Sequence, residues 1–118
     1  MAKRFATVTT SGGEVVCDRC LIAESPWLRT KGLLGRADLP EGEGILLRPA
    51  SSIHMAFMRF PIDAVFLARD LTVLKVVRDL APWRMAARLR AHAVLELPAG
   101  TCARSGVREG DRLALAAG

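Results

Sequence analysis

The chain has 118 residues, of which 51% are hydrophobic and 25% are charged, and its net charge is +5. These values predict a single globular domain, residues 1–118, and the sequence has no low-complexity tract. No apolar run reaches the length that a bilayer requires, so no membrane span is predicted. No apolar segment follows the basic residues at the N-terminus, so no secretory signal is expected.

The first third of the chain predicts one hairpin and one helix. Residues 5–9 and 14–17 flank a Ser-Gly-Gly turn, which is typical of two short antiparallel strands. Ser25 and the proline after it are a typical N-cap and first helical residue, so a helix is predicted near residues 26–34. Gly35 is placed to end that helix.

The remaining elements are predominantly short strands. The runs predicted as strands are 45–47, 53–60, 62–68, 71–77, 94–97 and 112–115. Runs 62–68 and 71–77 predict the best hairpin, and a short helical turn is predicted near 99–105, ended by Gly106. The segment 81–85 is predicted to be irregular or at a sheet edge. The fold class predicted is mainly β (α+β), as a small β-sandwich or a partly closed barrel.

Three cysteines, Cys17, Cys20 and Cys102, are present. An odd count without a secretion signal indicates reduced thiols and a cytoplasmic location. Cys17 and Cys20 have the Cys-x-x-Cys spacing of a metal knuckle or a redox pair, but a structural zinc site needs four ligands. Cys102, His54 and His92 could complete such a site only if the fold brought them together. Ordinary thiols are therefore expected, with no metal and no cofactor.

Two carboxylates, Asp63 and Glu96, lie in apolar strands. Side chains alternate along a strand, which places both groups in or beside the core. A buried carboxylate needs hydrogen-bond donors or a cation. Asp63 is predicted either to accept backbone N–H groups near Pro61 or to line a pocket. Glu96 is predicted either to pair with an arginine of a neighbouring strand or to share one acid–base site with Asp63.

His54 and Arg59 are further ligand-binding candidates in the run that precedes Asp63. His54 alternates with apolar residues, so it is either a structural histidine or a general base or anion donor. Arg59 is near enough in sequence to serve a pocket around Asp63.

The segment from Arg78 to Arg90 has several arginines around one tryptophan. It is either a solvated edge or a patch that binds an anion or a protein partner. In the second case the contacts would come from three residues, namely Trp83, Arg84 and Arg88.

Three motifs follow one another in a fixed order. They are Lys31-Gly-Leu-Leu-Gly-Arg36, Phe60-Pro-Ile-Asp-Ala-Val-Phe66 and Leu95-Glu-Leu-Pro-Ala-Gly100, the last followed by Gly106 and Gly110-Asp111. Together, over about residues 21–115, they resemble the domain-of-unknown-function family 192. The resemblance implies a β-rich, sandwich-like fold and no activity, because none is established for the family as a whole.

The stretch 53–58 departs from a common form of that family, in which an aromatic-Trp-Met-Lys-Asn-Thr run precedes the Pro-hydrophobic-Asp motif. Here Met55 is kept, but His54 stands in place of the tryptophan and Ala-Phe-Met in place of the polar trio. No ligand role of the trio can therefore be carried over.

These observations predict a non-catalytic binding or accessory domain, with a site beside Asp63, His54 and Glu96 for a small anionic ligand or a protein partner. One alternative is a small hydrolase that uses His54 with Asp63 or Glu96. Another is an interaction module that docks through the Trp83 segment. Specific nucleic-acid binding is not expected, because the basic residues are not clustered as a nucleic-acid reader requires.

Overall fold

The computed structural model describes residues 3–117. They form nine strands and two short helices, which are joined by turns and loops. Their bounds are β1 Arg4–Thr9, β2 Val15–Ala23, α1 Pro26–Lys31, β3 Glu43–Leu47, β4 Ser52–His54, β5 Ile62–Leu67, β6 Val73–Leu80, β7 Met85–Ala87, β8 Ala93–Pro98, α2 Thr101–Ser105 and β9 Ala114–Ala117. The predicted mainly β fold is confirmed. None of the described helices is long and apolar enough to cross a membrane.

Seven strands form one mixed sheet in the order β6-β5-β8-β3-β2-β1-β9, and β4 pairs with β7 in a second, two-stranded sheet. Within the large sheet β2 and β3 are parallel, and the other neighbours are antiparallel. Its two ends approach each other through a bridge between Thr72 and Arg112 and a 2.7 Å hydrogen bond from Val73 N to the Asp111 carbonyl. The sheet is therefore curled, but the described strands do not close into a barrel.

Each face of the curled sheet has its own apolar cluster. Leu46 and Leu95 belong to one cluster, together with Cys102 of α2. Ile45 and Val94, their neighbours in β3 and β8, belong to the other. The second cluster also includes Ile53 of β4 and Leu33 and Leu39 of the segment between α1 and β3. Because adjacent strand residues point to opposite faces, these central strands are buried on both sides and read as nearly continuous apolar runs.

Helix α1 begins as predicted and ends earlier than predicted. The Ser25 hydroxyl accepts a 3.1 Å hydrogen bond from Leu28 N, and Pro26 is the first helical residue. Gly32 has φ of 45° and ψ of −121°, a conformation that ends the helix at Lys31. The prediction that the helix reaches residue 34 is therefore wrong, because residues 32–35 form turns instead.

The predicted strand 53–60 is also shorter than expected, since only Ser52–His54 forms a strand. Phe57 has φ of 64°, a left-handed conformation that is incompatible with an extended strand. The predicted hairpin 62–68/71–77 is confirmed, as β5 pairs antiparallel with β6. The segment 81–85, predicted to be irregular or edge-like, leads into β7 of the two-stranded sheet.

Replacing Gly32 with alanine is expected to lower the free energy of unfolding by about 1–2 kcal/mol. The space is open, because a Cβ at this position would lie 3.8 Å from its nearest neighbour. The loss comes instead from the backbone conformation, which side chains rarely adopt. Chemical denaturation should show the loss for Gly32→Ala but not for Gly12→Ala, whose φ is not in the left-handed region. An unchanged midpoint for Gly32→Ala would contradict this account.

Candidate functional site

The Asp63 side chain is fully buried and accepts three backbone hydrogen bonds. Its Oδ1 accepts from Asp79 N at 3.0 Å, and its Oδ2 accepts from Gly100 N at 3.1 Å and from Cys102 N at 2.9 Å. The donors belong to the end of β6 and to the N-terminus of α2, not to the neighbourhood of Pro61. Helix α2 has no capping side chain of its own, so the Asp63 carboxylate serves as its cap and connects β5 to β6 and α2.

Asp63 and Glu96 lie on opposite faces of the sheet. In the antiparallel pair of β5 and β8, Asp63 is directly opposite Leu97, and Ala64 is directly opposite Glu96. Directly opposed residues share a face, and adjacent residues do not. The two carboxylates therefore cannot form the acid–base pair that the sequence left open.

Glu96 is buried without a partner for its charge. Glu96 is 6% exposed. Within residues 3–117, no hydrogen bond or ion pair is made to its carboxylate. Burial raises the pKa of this carboxyl from 4.5 to about 7, because a charged group loses its hydration in a low-dielectric surrounding. The arginine partner expected from a neighbouring strand is not found in this part of the chain.

The Glu96 side chain instead lines a cavity of about 460 Å³. One wall is the end of α1 with the turn that follows it, and the other is the segment 47–55. The titratable and cationic side chains on the lining are those of Arg29, Lys31, His54 and Glu96, and Leu47, Ile53 and Met55 supply apolar surface. A concave, partly apolar space of this size with a few convergent polar groups is typical of small-molecule sites.

Arg29 adds a second unpaired polar group to the same cavity. Its Nη1 donates a 3.2 Å hydrogen bond to the Pro49 carbonyl, which holds the guanidinium in place. Its Nε is buried and has no acceptor among the described residues. Sequence reasoning missed Arg29, because only the fold places the end of α1 across from β8. The one available signal was Gly32, whose lack of a side chain keeps the space beside Glu96 open.

The structure separates the other predicted site residues into two groups. His54 is exposed and lines the Glu96 cavity, so these two candidates meet at one site. Arg59 is exposed and does not line the cavity. Trp83, Arg84 and Arg88 lie in the loops on either side of β7, the strand that pairs with β4. Since His54 pairs with Met85, this segment adjoins the cavity wall but does not form it.

An exposed aromatic pair lies at the end of the β4–β7 sheet. The rings of Phe57 and Trp83 pack edge to face with centroids 4.9 Å apart. They are 73% and 67% exposed, and Met85 beside them is 73% exposed. Both aromatic residues have a left-handed backbone, with φ of 64° and 70°. Bulky residues rarely adopt this conformation, and such strain clusters at functional positions.

All three cysteines are buried free thiols. On β1, Ala6 pairs with Cys20 and Val8 with Cys17, so a bulge in β2 brings both thiols to one face. The Sγ atoms of Cys17 and Cys20 donate to the Gly42 and Leu21 carbonyls, and the proximity of the two thiols lowers the pKa of Cys17 and raises that of Cys20. Burial raises the pKa of Cys102 to about 12. No cluster of three metal-ligating side chains occurs in the described part of the chain.

We expect these thiols to be unreactive towards an aromatic disulfide reagent until the protein unfolds, because the reagent cannot reach a thiol in the core. Thiol titration with and without denaturant measures this difference.

Elemental analysis of the purified protein is expected to find no stoichiometric zinc. One zinc per chain, lost in Cys17→Ser, would contradict the assignment of ordinary thiols.

Comparison with known proteins places this geometry in a group without an assigned role. A family model described as DUF192, "Uncharacterized ACR", matches residues 7–115. No curated protein matches the chain. A protein of unknown function from Novosphingobium aromaticivorans is 27% identical with a TM-score of 0.80, over 95% of this chain and 84% of that one. A suggested transcription regulator from Sinorhizobium meliloti is 28% identical with a TM-score of 0.83, over 97% and 94%.

Proposed function

Since the chain belongs to the uncharacterised family DUF192, which supplies no activity, we propose from its own geometry that it is a small-molecule-binding domain of the cytoplasm. Its ligand occupies the cavity beside Glu96. The observation that carries this proposal is the buried Glu96 carboxylate, which no described group pairs and which opens into that cavity. An unpaired buried charge destabilises a fold, so a bound ligand that supplies its partner is the simplest reason for its presence.

Binding is favoured over hydrolysis by the positions of the acidic groups. Asp63 is fully buried, accepts three backbone hydrogen bonds and does not line the cavity, so a ligand there cannot reach it as a base or a nucleophile. Glu96 and His54 share the cavity, but no described side chain orients His54 by a hydrogen bond. A hydrolytic site normally orients its base through a third group. The geometry therefore supports recognition of a ligand better than the hydrolase alternative.

A fragment library screened by NMR tests this function. Fragments should shift the backbone amides of Gly32, Leu33 and Ile53, which surround the cavity. Ala50→Phe, which fills the cavity from its lining, should abolish these shifts. Ala37→Phe is the matched control, because Ala37 is exposed and does not line the cavity. Shifts that map elsewhere, or that survive in Ala50→Phe, would contradict the proposal.

The Sinorhizobium relative is described as a transcription regulator, but the two described helices do not support sequence-specific DNA binding by this chain. They contain six and five residues, too few to form the recognition helix that common DNA readers place in the major groove. The net charge of +5 still predicts weak association with DNA through its phosphates. We expect the binding constant to be independent of the DNA sequence. It should fall steeply between 50 and 200 mM salt, about as a power of the salt concentration. A tight complex with one sequence at physiological salt would contradict this.

A second function, docking onto a protein partner with an acidic surface, is favoured by the strained aromatic pair Phe57–Trp83. The segments 51–62 and 80–95 around it include four arginines and no acidic residue. Exposed Trp, Phe, Met and Arg are the residue types enriched in protein interfaces. The charge favours an acidic partner.

A photo-crosslinking phenylalanine analogue at position 83 tests this docking. In cells we expect one adduct of discrete mass, lost when Arg84→Glu and Arg88→Glu are introduced. The analogue at position 15, where Val15 is 54% exposed in another strand, is the control and should give no adduct. Adducts that form from both positions, or that survive the charge reversal, would contradict the docking function.

A further inference from the structure

Gly32 leaves an open position between two oxygen atoms. Outside residues 31–33, the only described atoms within 4 Å of a Cβ built on Gly32 would be the carbonyl oxygen of Arg29, at 3.8 Å, and Oε1 of Glu96, at 3.9 Å. Both oxygens are hydrogen-bond acceptors. The absent side chain therefore leaves a small seat beside two acceptors from distant parts of the chain.

Neither oxygen has a donor within the described residues. At the end of α1, Gly32 N donates to the Leu28 carbonyl and Leu34 N to the Lys31 carbonyl, and the carbonyl of Arg29 is left over. The last carbonyls of a helix have no partner within the helix and need one from outside. The Glu96 carboxylate is equally unpartnered. Two acceptors, one of them an acid, favour a cationic donor at this seat.

We propose that the molecule bound in this cavity is a small primary amine with an apolar body, its ammonium group seated over Gly32 between Glu96 and the Arg29 carbonyl. This inference rests on the proposed binding function and specifies the ligand. An ammonium has three donors, so it can satisfy both oxygens and retain one contact to water. A hard divalent cation would need about six oxygen ligands, and no metal-ligating cluster of three occurs among residues 3–117.

The remaining lining fits the rest of such a molecule. Leu33, Leu47, Ile53 and Met55 form apolar walls, which an aliphatic or aromatic body would cover. The buried Nε of Arg29 lacks an acceptor, so a carboxylate on the ligand would satisfy it. An apolar amino acid has an ammonium group, an apolar body and a carboxylate. Leucine, its analogue without the carboxylate and its analogue without the amine are therefore suitable probes.

Binding of an amine should depend on pH, because only the ionised carboxylate attracts an ammonium. With the pKa of Glu96 raised to about 7 by burial, the affinity should increase about tenfold from pH 6 to pH 8. The other charged or titratable side chains on the lining are Arg29 and Lys31 of α1 and His54 of β4. His54→Asn should therefore keep this pH dependence, whereas Glu96→Gln should remove it.

Three probes that share one branched alkyl chain, the 3-methylbutyl unit, test the inference by NMR titration at pH 8. They are 3-methylbutylamine, L-leucine and 4-methylpentanoate. A charge-assisted hydrogen bond to Glu96 predicts that the amine and leucine bind about tenfold or more tighter than the acid that lacks an ammonium. The preference should be lost in Glu96→Gln.

Gly32→Ala and Gly35→Ala provide a matched pair of variants. Both glycines have positive φ, but a Cβ at Gly35 meets nothing within 4 Å, whereas a Cβ at Gly32 would occupy the seat. Both variants should be destabilised, and only Gly32→Ala should lose the preference for the amine. The probes are titrated into each variant at a temperature where that variant is folded, so a loss of stability cannot be mistaken for a loss of binding.

The outcomes separate this inference from the function on which it rests. If library fragments bind in the cavity but the amine and the acid bind equally, or the acid binds more tightly, the inference fails and the binding function stands. The inference also fails if Glu96→Gln or Gly32→Ala keeps the preference for the amine. If neither the probes nor any library fragment binds in the cavity, both fail.

Discussion

Asp63→Asn is expected to lower the free energy of unfolding by about 3 kcal/mol, the largest loss predicted for any conservative change in this chain. The carboxylate accepts from Asp79 N, Gly100 N and Cys102 N. Asparagine keeps the shape, but its NH₂ group would face at least one of these N–H donors. At least one buried donor would then lose its acceptor, and the two groups would repel each other.

Urea denaturation measures this loss, and hydrogen exchange locates it. The amides of Gly100 and Cys102 should exchange faster in Asp63→Asn, because the cap of α2 is weakened. Asp70→Asn is the control, since Asp70 accepts from Thr72 N in an exposed turn and should have a smaller effect. A neutral or stabilised Asp63→Asn variant would overturn the structural role and return Asp63 to the candidates for a ligand site.

Glu96→Gln is expected to raise the free energy of unfolding, by an amount that depends on pH. Burial raises the pKa of Glu96 from 4.5 to about 7, so the folded protein binds this proton more tightly than the unfolded chain does. The stability contributed by the protonated form is then fully present below pH 4.5, decreases as the pH rises, and is lost above about 7. The shift corresponds to about 3 kcal/mol.

Glutamine cannot ionise, so the variant should lack this decrease and should be more stable than the wild type at pH 8. At pH 5 the two proteins should differ little. Denaturation curves from pH 4 to pH 8 measure the difference, and Glu109→Gln, at an exposed position, should keep the wild-type profile. A Glu96→Gln variant that is less stable at pH 8, or that keeps the wild-type slope, would show that the carboxylate has a partner in the fold.

The opposite signs of these two predictions distinguish two buried carboxylates that look alike in the sequence. Asp63 is surrounded by donors, and its removal weakens the fold. Glu96 faces a cavity, and its replacement by glutamine should strengthen the fold at pH 8 while removing the preference for an amine ligand. Functional groups are often retained at such a cost to stability. Stability and binding measured on the same two variants therefore test the assignment of both residues.

The sequence by itself determined the features that depend on neighbouring residues. The cap at Ser25, the β5–β6 hairpin and the burial of Asp63 and Glu96 follow from local spacing and from alternation along a strand. The three motifs that resemble family 192 were also readable in order along the chain.

Only the tertiary structure decided which of these groups meet. Strand β8 lies between β5 and β3, and the register of that pairing puts Asp63 and Glu96 on opposite faces, which alternation within single strands cannot show. The cavity joins Arg29 to Glu96 across 67 positions of sequence (from 29 to 96). The left-handed turn at Phe57, which shortened the predicted strand, places the Phe57 ring against that of Trp83, a residue distant in the sequence. Contacts between distant segments depend on how the whole chain buries its apolar surface, and no local pattern encodes that arrangement.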